Sequence, residues 1–156
     1  MGNDSPDLEK QRASMEHLGE QAWAALAAGD FAQAESMYEA AIALARAVSD
    51  RAAEAIFLSY LGVTRHSMGK PESALADLAQ AVNLAREYGL SKVEAQACMF
   101  MAEQELDAGH AEQAIHGFLK SLEAAYNAKD PLGMEISFWN LGRLYLERGW
   151  AEQASE

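Results

Sequence analysis

Residues 69–108 read GKPESALADLAQAVNLAREYGLSKVEAQACMFMAEQELDA, and the chain writes this unit about three and a half times. Glycine recurs at Gly29, Gly69, Gly109 and Gly149, each 40 residues after the last. Five residues beyond each stands alanine (Ala34, Ala74, Ala114, Ala154). Twelve beyond stand Ala41, Ala81 and Ser121, each followed by an aliphatic residue (Ile42, Val82, Leu122). Seven before each glycine stand Ala22, Gly62, Ala102 and Gly142. A fixed period of this length is the mark of a solenoid array, in which one supersecondary unit stacks on its own copies.

Within the unit the apolar spacing is helical. Leu18, Ala22, Ala25 and Leu26 recur every three or four residues, as do Ala74, Leu75, Leu78, Ala81, Val82 and Ala85. Glycine ends a helix by taking the left-handed conformation its C-terminus needs. Asp30 and Asp50 can cap the helices that follow, and Pro71 and Pro131 suit a first helical position. Ser91 with Glu94 has the spacing of a capping box. Seven helices are predicted, from about Asp7 to Ala28, 31–48, 51–68, 71–88, 91–108, 111–128 and 131–148. The predicted units are about 7–48, 49–88, 89–129 and 130–156, behind a disordered leader at 1–6. Ala151 to Ala154 repeats Ala111-Glu112-Gln113-Ala114 letter for letter. The last unit is therefore expected to be truncated, with α-helix seven ending at Gly149 and its open face left for a continuation or another chain.

Small residues at fixed places predict close helix approach. Ala22, Gly62, Ala102 and Gly142 on the first helix of each pair are expected to meet Ala34, Ala74 and Ala114 on the second. Tyr38, Leu78 and Phe118 then fill the space between pairs.

Composition narrows the function. Twelve basic residues against 24 acidic ones leave a net charge of −12, the wrong sign for nucleic acid or an anionic membrane surface. Cys98 is the one cysteine, so no internal disulfide framework exists and Cys98 reads as a small core residue. No apolar run has the length of a membrane span, and the first residues lack a signal-peptide pattern; a cytoplasmic location is expected. Gly69-Lys70 lacks the flanking glycine and hydroxyl residue of a phosphate loop, since Thr64 and Pro71 stand there. His17, His66, His110 and His116 fall in different units and form no metal set. No enzyme, cofactor or metal site is expected.

The pattern resembles the tetratricopeptide repeat (TPR) family: Gly29-Asp30-Phe31, Ala34, Tyr38 and Ala41, with Leu61-Gly62 and Leu141-Gly142, over about residues 15–156. The 40-residue period and Asn140-Leu141-Gly142-Arg143-Leu144-Tyr145 resemble the longer-helix subclass of spindle-orientation and G-protein-modulator scaffolds and of bacterial regulators. That resemblance implies an all-α solenoid of antiparallel helix pairs, a right-handed superhelix whose first helices line a concave groove and hold a partner's peptide, helix or domain without chemistry. By the family's geometry the groove carries Trp23, Ile56, Tyr60, Val63, Gln96, Met99, Phe100, Glu103, Ile136, Trp139, Asn140 and Arg143. That row is mostly aromatic and aliphatic, which suits an apolar or amphipathic segment anchored by Tyr60, Phe100 and Trp139. Glu103, Asn140 and Arg143 would orient it. The positions that clamp a chaperone's terminal carboxylate hold Gly19, Trp23, Tyr60, Gln96 and Phe100, none of them cationic, so that ligand is not expected. Two other functions fit the same pattern. One is a ligand- or peptide-sensing domain of a bacterial regulator. The other is homodimerisation through the open C-terminal end, motivated by Leu141, Leu144 and Tyr145.

Overall fold

A computed structural model describes residues 6–155, with side chains described for 6–149. Seven helices follow one another: α1 (Pro6–Ala27), α2 (Phe31–Ala47), α3 (Arg51–Ser67), α4 (Pro71–Glu87), α5 (Ser91–Asp107), α6 (Ala111–Asn127) and α7 (Pro131–Ser155). The disordered leader expected at 1–6 lies outside the described residues except for Pro6, which opens α1.

Each described turn is closed the same way. Gly29, Gly69, Gly89 and Gly109 take φ of 79°, 72°, 66° and 82°, and Ser49 and Lys129 take 57° and 51°. The next amide then reaches back five residues: Asp30 N to Ala25 O at 2.9 Å, Lys70 N to Arg65 O at 2.9 Å, His110 N to Glu105 O at 2.8 Å. This satisfies carbonyls that a helix end would leave orphaned. The turn therefore recurs every 20 residues, half the sequence period. Asp30 and Asp50 cap as expected, accepting from Gln33 N at 3.2 Å and Ala53 N at 2.9 Å. The capping box at Ser91 does not form. Leu90 is the cap residue, Ser91 is the first helical residue, and Glu94 is drawn instead to Arg86 Nε at 2.6 Å.

Packing alternates. Each helix packs on its sequence neighbours, and the odd-numbered helices also touch across units, α1 with α3, α3 with α5, α5 with α7. Among the described residues no even-numbered helix reaches another. The odd helices thus form the inner layer and the even helices splay on the outside. The core follows the small-residue rule. Ala22, Ala34, Tyr38, Leu58, Leu78 and Cys98 belong to one buried cluster, and Ala102, Ala114 and Phe118 to the next. A Cβ on Gly62 would stand 2.6 Å from Leu78 Cγ and 3.1 Å from the Ala74 carbonyl oxygen. Ser121, standing where earlier units have alanine, is buried and donates to Ala95 O at 2.8 Å; its hydroxyl also lies 3.1 Å from that of Ser137. One hydroxyl thus ties α5, α6 and α7 together.

The last helix departs from the expectation in three ways. It runs through Gly149 to Ser155 rather than stopping. Glycine permits a left-handed turn without forcing one, and among the described residues α7 packs only on the earlier helices α5 and α6. Gly142 accordingly has nothing within 4 Å of its Cβ position, unlike Gly62. Leu141 and Leu144 are buried against Phe118 and Ala114 and are not part of an open face. The exposed apolar residues of α7 are Leu132, Ile136, Phe138, Trp139, Tyr145 and Leu146.

Candidate partner-binding groove

The inner face begins at α1. Trp23, 57% exposed, shares a hollow of about 450 Å³ with Gly19, Phe57 and Tyr60. Gly19 is there because a Cβ would stand 2.5 Å from Phe57 Cε1; the α3 ring lies directly on the α1 backbone. From this hollow an aromatic ladder crosses the units. Tyr38 is stacked on Tyr60 at 5.9 Å between centroids, and Tyr60 meets Phe100 tilted at 6.3 Å. Gln96 Nε2 donates to the Tyr60 hydroxyl at 3.0 Å. Tyr60 and Phe100 are half-buried and pack against the main core cluster, so they form the floor of the groove and not its exposed rim.

A second hollow of about 260 Å³ brings Tyr60, Gln96 and Met99 together with Leu132 and Ile136. Ile56 and Val63 are half-buried on α3 and line neither hollow. Asn140 is turned inward. It is 6% exposed, and its Nδ2 donates to Ile136 O of its own helix at 3.2 Å. Asn140 therefore spends one of its amide hydrogens within α7.

Trp139 and Arg143 form a separate cluster further along α7. Trp139 is 66% exposed, with the Arg143 guanidinium 5.5 Å from its ring centroid, a cation–π arrangement. Arg143 also donates to Glu147 at 3.2 Å. Phe138, Gly142 and Leu146 share this surface hollow of about 400 Å³. Phe138 was invisible to the repeat register, because the matching residues one and two units earlier are the buried Cys98 and Leu58. Glu103 of α5 is exposed. Desolvation raises its carboxyl above the ordinary value, Asp107 adds to the effect, and His66 and Arg143 oppose it. An inner-face carboxylate so placed is readily neutralised by a cationic or hydrogen-bond-donating partner group.

Among the described residues no group of three or more His, Cys, Asp and Glu side chains could hold a metal ion. No helix among them is long and apolar enough to cross a membrane.

Residues 12–87 match the family model described as "Tetratricopeptide repeat", and this part of the chain belongs to that family. The same helix pairing continues through α7. Two solved structures share the fold. The translocator chaperone SycD of type III secretion in Yersinia enterocolitica superposes with a TM-score of 0.68 at 18% identity, over 86% of each chain. BtubC (BKLC) from P. vanneervenii superposes with a TM-score of 0.69 at 21% identity, over 93% of this chain and 68% of that one. At these identities the likeness is one of fold. No curated protein matches the sequence.

Proposed function

We propose that the chain is a non-catalytic protein-interaction scaffold that holds an apolar or amphipathic helix of a partner along its inner face. The observation that carries this is the row of exposed or half-exposed apolar side chains on consecutive odd helices: Trp23 on α1, Tyr60 on α3, Met99 on α5, and Ile136 and Trp139 on α7. Four turns of helical ligand, anchored at positions three and four apart, would lay one apolar face across such a row. Large exposed aromatics are the residues that dominate interface energies. The acid excess of the chain and the disposition of Glu103 favour a partner whose polar face is basic.

Helical peptides selected from a display library for binding to the intact chain provide the test. Trp23→Glu and Trp139→Glu keep the core intact because both side chains are exposed. Each should weaken a selected basic amphipathic helix by about tenfold or more, while Gln80→Glu on the outer face leaves affinity unchanged. Binding indifferent to both tryptophan substitutions would remove the groove from consideration.

A second reading, self-association through α7, is favoured by Phe138, Tyr145 and Leu146, all more than half exposed around the open Gly142. A contiguous apolar patch of that kind is unusual on a monomer. Light scattering should then show a dimer at about 100 μM that Leu146→Glu dissociates. A strict monomer at that concentration overturns it.

A further inference from the structure

Because the even helices splay, a cleft opens on the outer face above each inner helix. The two such clefts of the array differ. Between α2 and α4, over α3, the cleft is bridged by Arg65. Its Nε is 2.9 Å from Glu35 Oε1 and its Nη1 is 2.8 Å from Asp77 Oδ2, while Nη2 bonds Glu39. Forty residues on, the positions of Glu39, Arg65 and Asp77 hold Ala79, Glu105 and Gly117. The bridge is gone. Between α4 and α6, over α5, the cleft stands open as a cavity of about 570 Å³. That size falls within the range of small-molecule sites.

Its floor is apolar: Val82, Cys98, Met101 and Ala102. The charged groups at its rim are largely engaged. Arg86 bonds Glu94 at 2.6 Å, Glu105 lies 2.8 Å from His110 Nδ1, and Glu112 lies 3.3 Å from Arg148. Four polar lining residues, Asn83, Gln113, His116 and Lys120, make no side-chain hydrogen bond or ion pair among the described residues, and Lys120 is the cation among them. His116 and Lys120 stand one turn apart on α6. The acids of the cleft are thus occupied, and the one ammonium among its open polar groups is that of Lys120. Lys120 stands beside the Cys98 end, and Glu105 lies seven residues along α5 at the other, about 10 Å away. One negative charge is accommodated near Lys120; a second at the far end would meet Glu105 and Glu112.

We propose that the cleft between α4 and α6 binds a small amphipathic monoanion, an aliphatic body with one carboxylate. The body lies over Cys98, Met101 and Ala102, and the carboxylate is held by Lys120 with His116 beside it. This site is on the opposite face from the groove and stands or falls independently of it.

The probe is octanoate, with octylammonium as the charge-reversed control, read by the methionine-methyl NMR spectrum of the intact chain. Octanoate should shift the Met101 methyl saturably, with Kd of about 1 mM or tighter, and leave the Met15 methyl of α1 unmoved. Lys120→Glu should weaken this at least about tenfold. Ala79→Phe, which fills the cleft from α4, should abolish it with helicity unchanged. Trp23→Glu should not affect it. Absence of a Met101 shift, an equal shift with octylammonium, or undiminished binding in Lys120→Glu would each overturn the proposal.

Discussion

Lys129 and Ser49 hold positive φ where four other turns use glycine. A side chain in the left-handed region costs about 1–2 kcal/mol, part of which glycine returns as unfolded-state entropy. Lys129 is exposed, so replacing it removes no core contact. Lys129→Gly should stabilise the chain by up to about 1 kcal/mol and raise Tm by about 2–4 °C. Gly109→Ala should cost about as much as the first gains. A scan in which both changes destabilise would mean the turn is held by something other than its backbone angle. At the same scale, Ser121 shows why one hydroxyl replaces alanine in one unit only: it has two partners, on α5 and α7, that Ala41 and Ala81 do not.

Among elements, Gly62 and Gly142 occupy matching places on α3 and α7, yet their surroundings are opposite. Any side chain at 62 would strike Leu78 and the Ala74 carbonyl, and backbone cannot move aside cheaply. Gly62→Leu should therefore cost about 3 kcal/mol or more in urea unfolding. Gly142→Leu should cost nothing and gain up to about 0.8 kcal/mol from helix propensity, because no neighbour lies within 4 Å. Equal losses at the two positions would contradict the packing of α4 on α3. The pair thus separates what a small residue does in a helix from what it does between helices.

For the whole molecule, stability depends on pH through individual carboxyl groups that folding shifts in opposite directions. Glu54 is buried. Burial pushes its carboxyl up, but Arg46 and Arg51, each at 2.6 Å, outweigh this and hold it below the ordinary 4.5. A carboxyl lowered by folding contributes stability that is present above the unfolded value and lost as pH falls through the folded one. Glu103 is raised instead, so its ionisation works against folding at neutral pH. Glu54→Gln should lower stability at pH 7, with the deficit shrinking as pH falls below 4.5. Glu103→Gln should raise stability at pH 7 only slightly, because the side chain is exposed and solvent screens it. Chemical denaturation at pH 7 and pH 4 checks both, and a deficit for Glu54→Gln that persists unchanged at pH 4 would show the ion pairs to be incidental.

The amino-acid sequence alone determined the repeat, because a 40-residue period, glycine at each turn and small residues at fixed places are local statements about backbone and volume. It marked Tyr60 and Phe100 as inner-face residues through the family resemblance. Their depth came from tertiary contact, since the stacking of Tyr38 on Tyr60 links residues on different helices. Asn140 reads from the sequence as a ligand-orienting amide, and its burial, 6% exposed, came from tertiary packing. The outer cleft left a trace in the letters, as Glu39, Arg65 and Asp77 giving way to Ala79, Glu105 and Gly117. That trace meant nothing until α2, α3 and α4 were seen to meet at one arginine. The course of α7 likewise came from the structure: Gly149 allows a turn, yet the helix runs through it to Ser155.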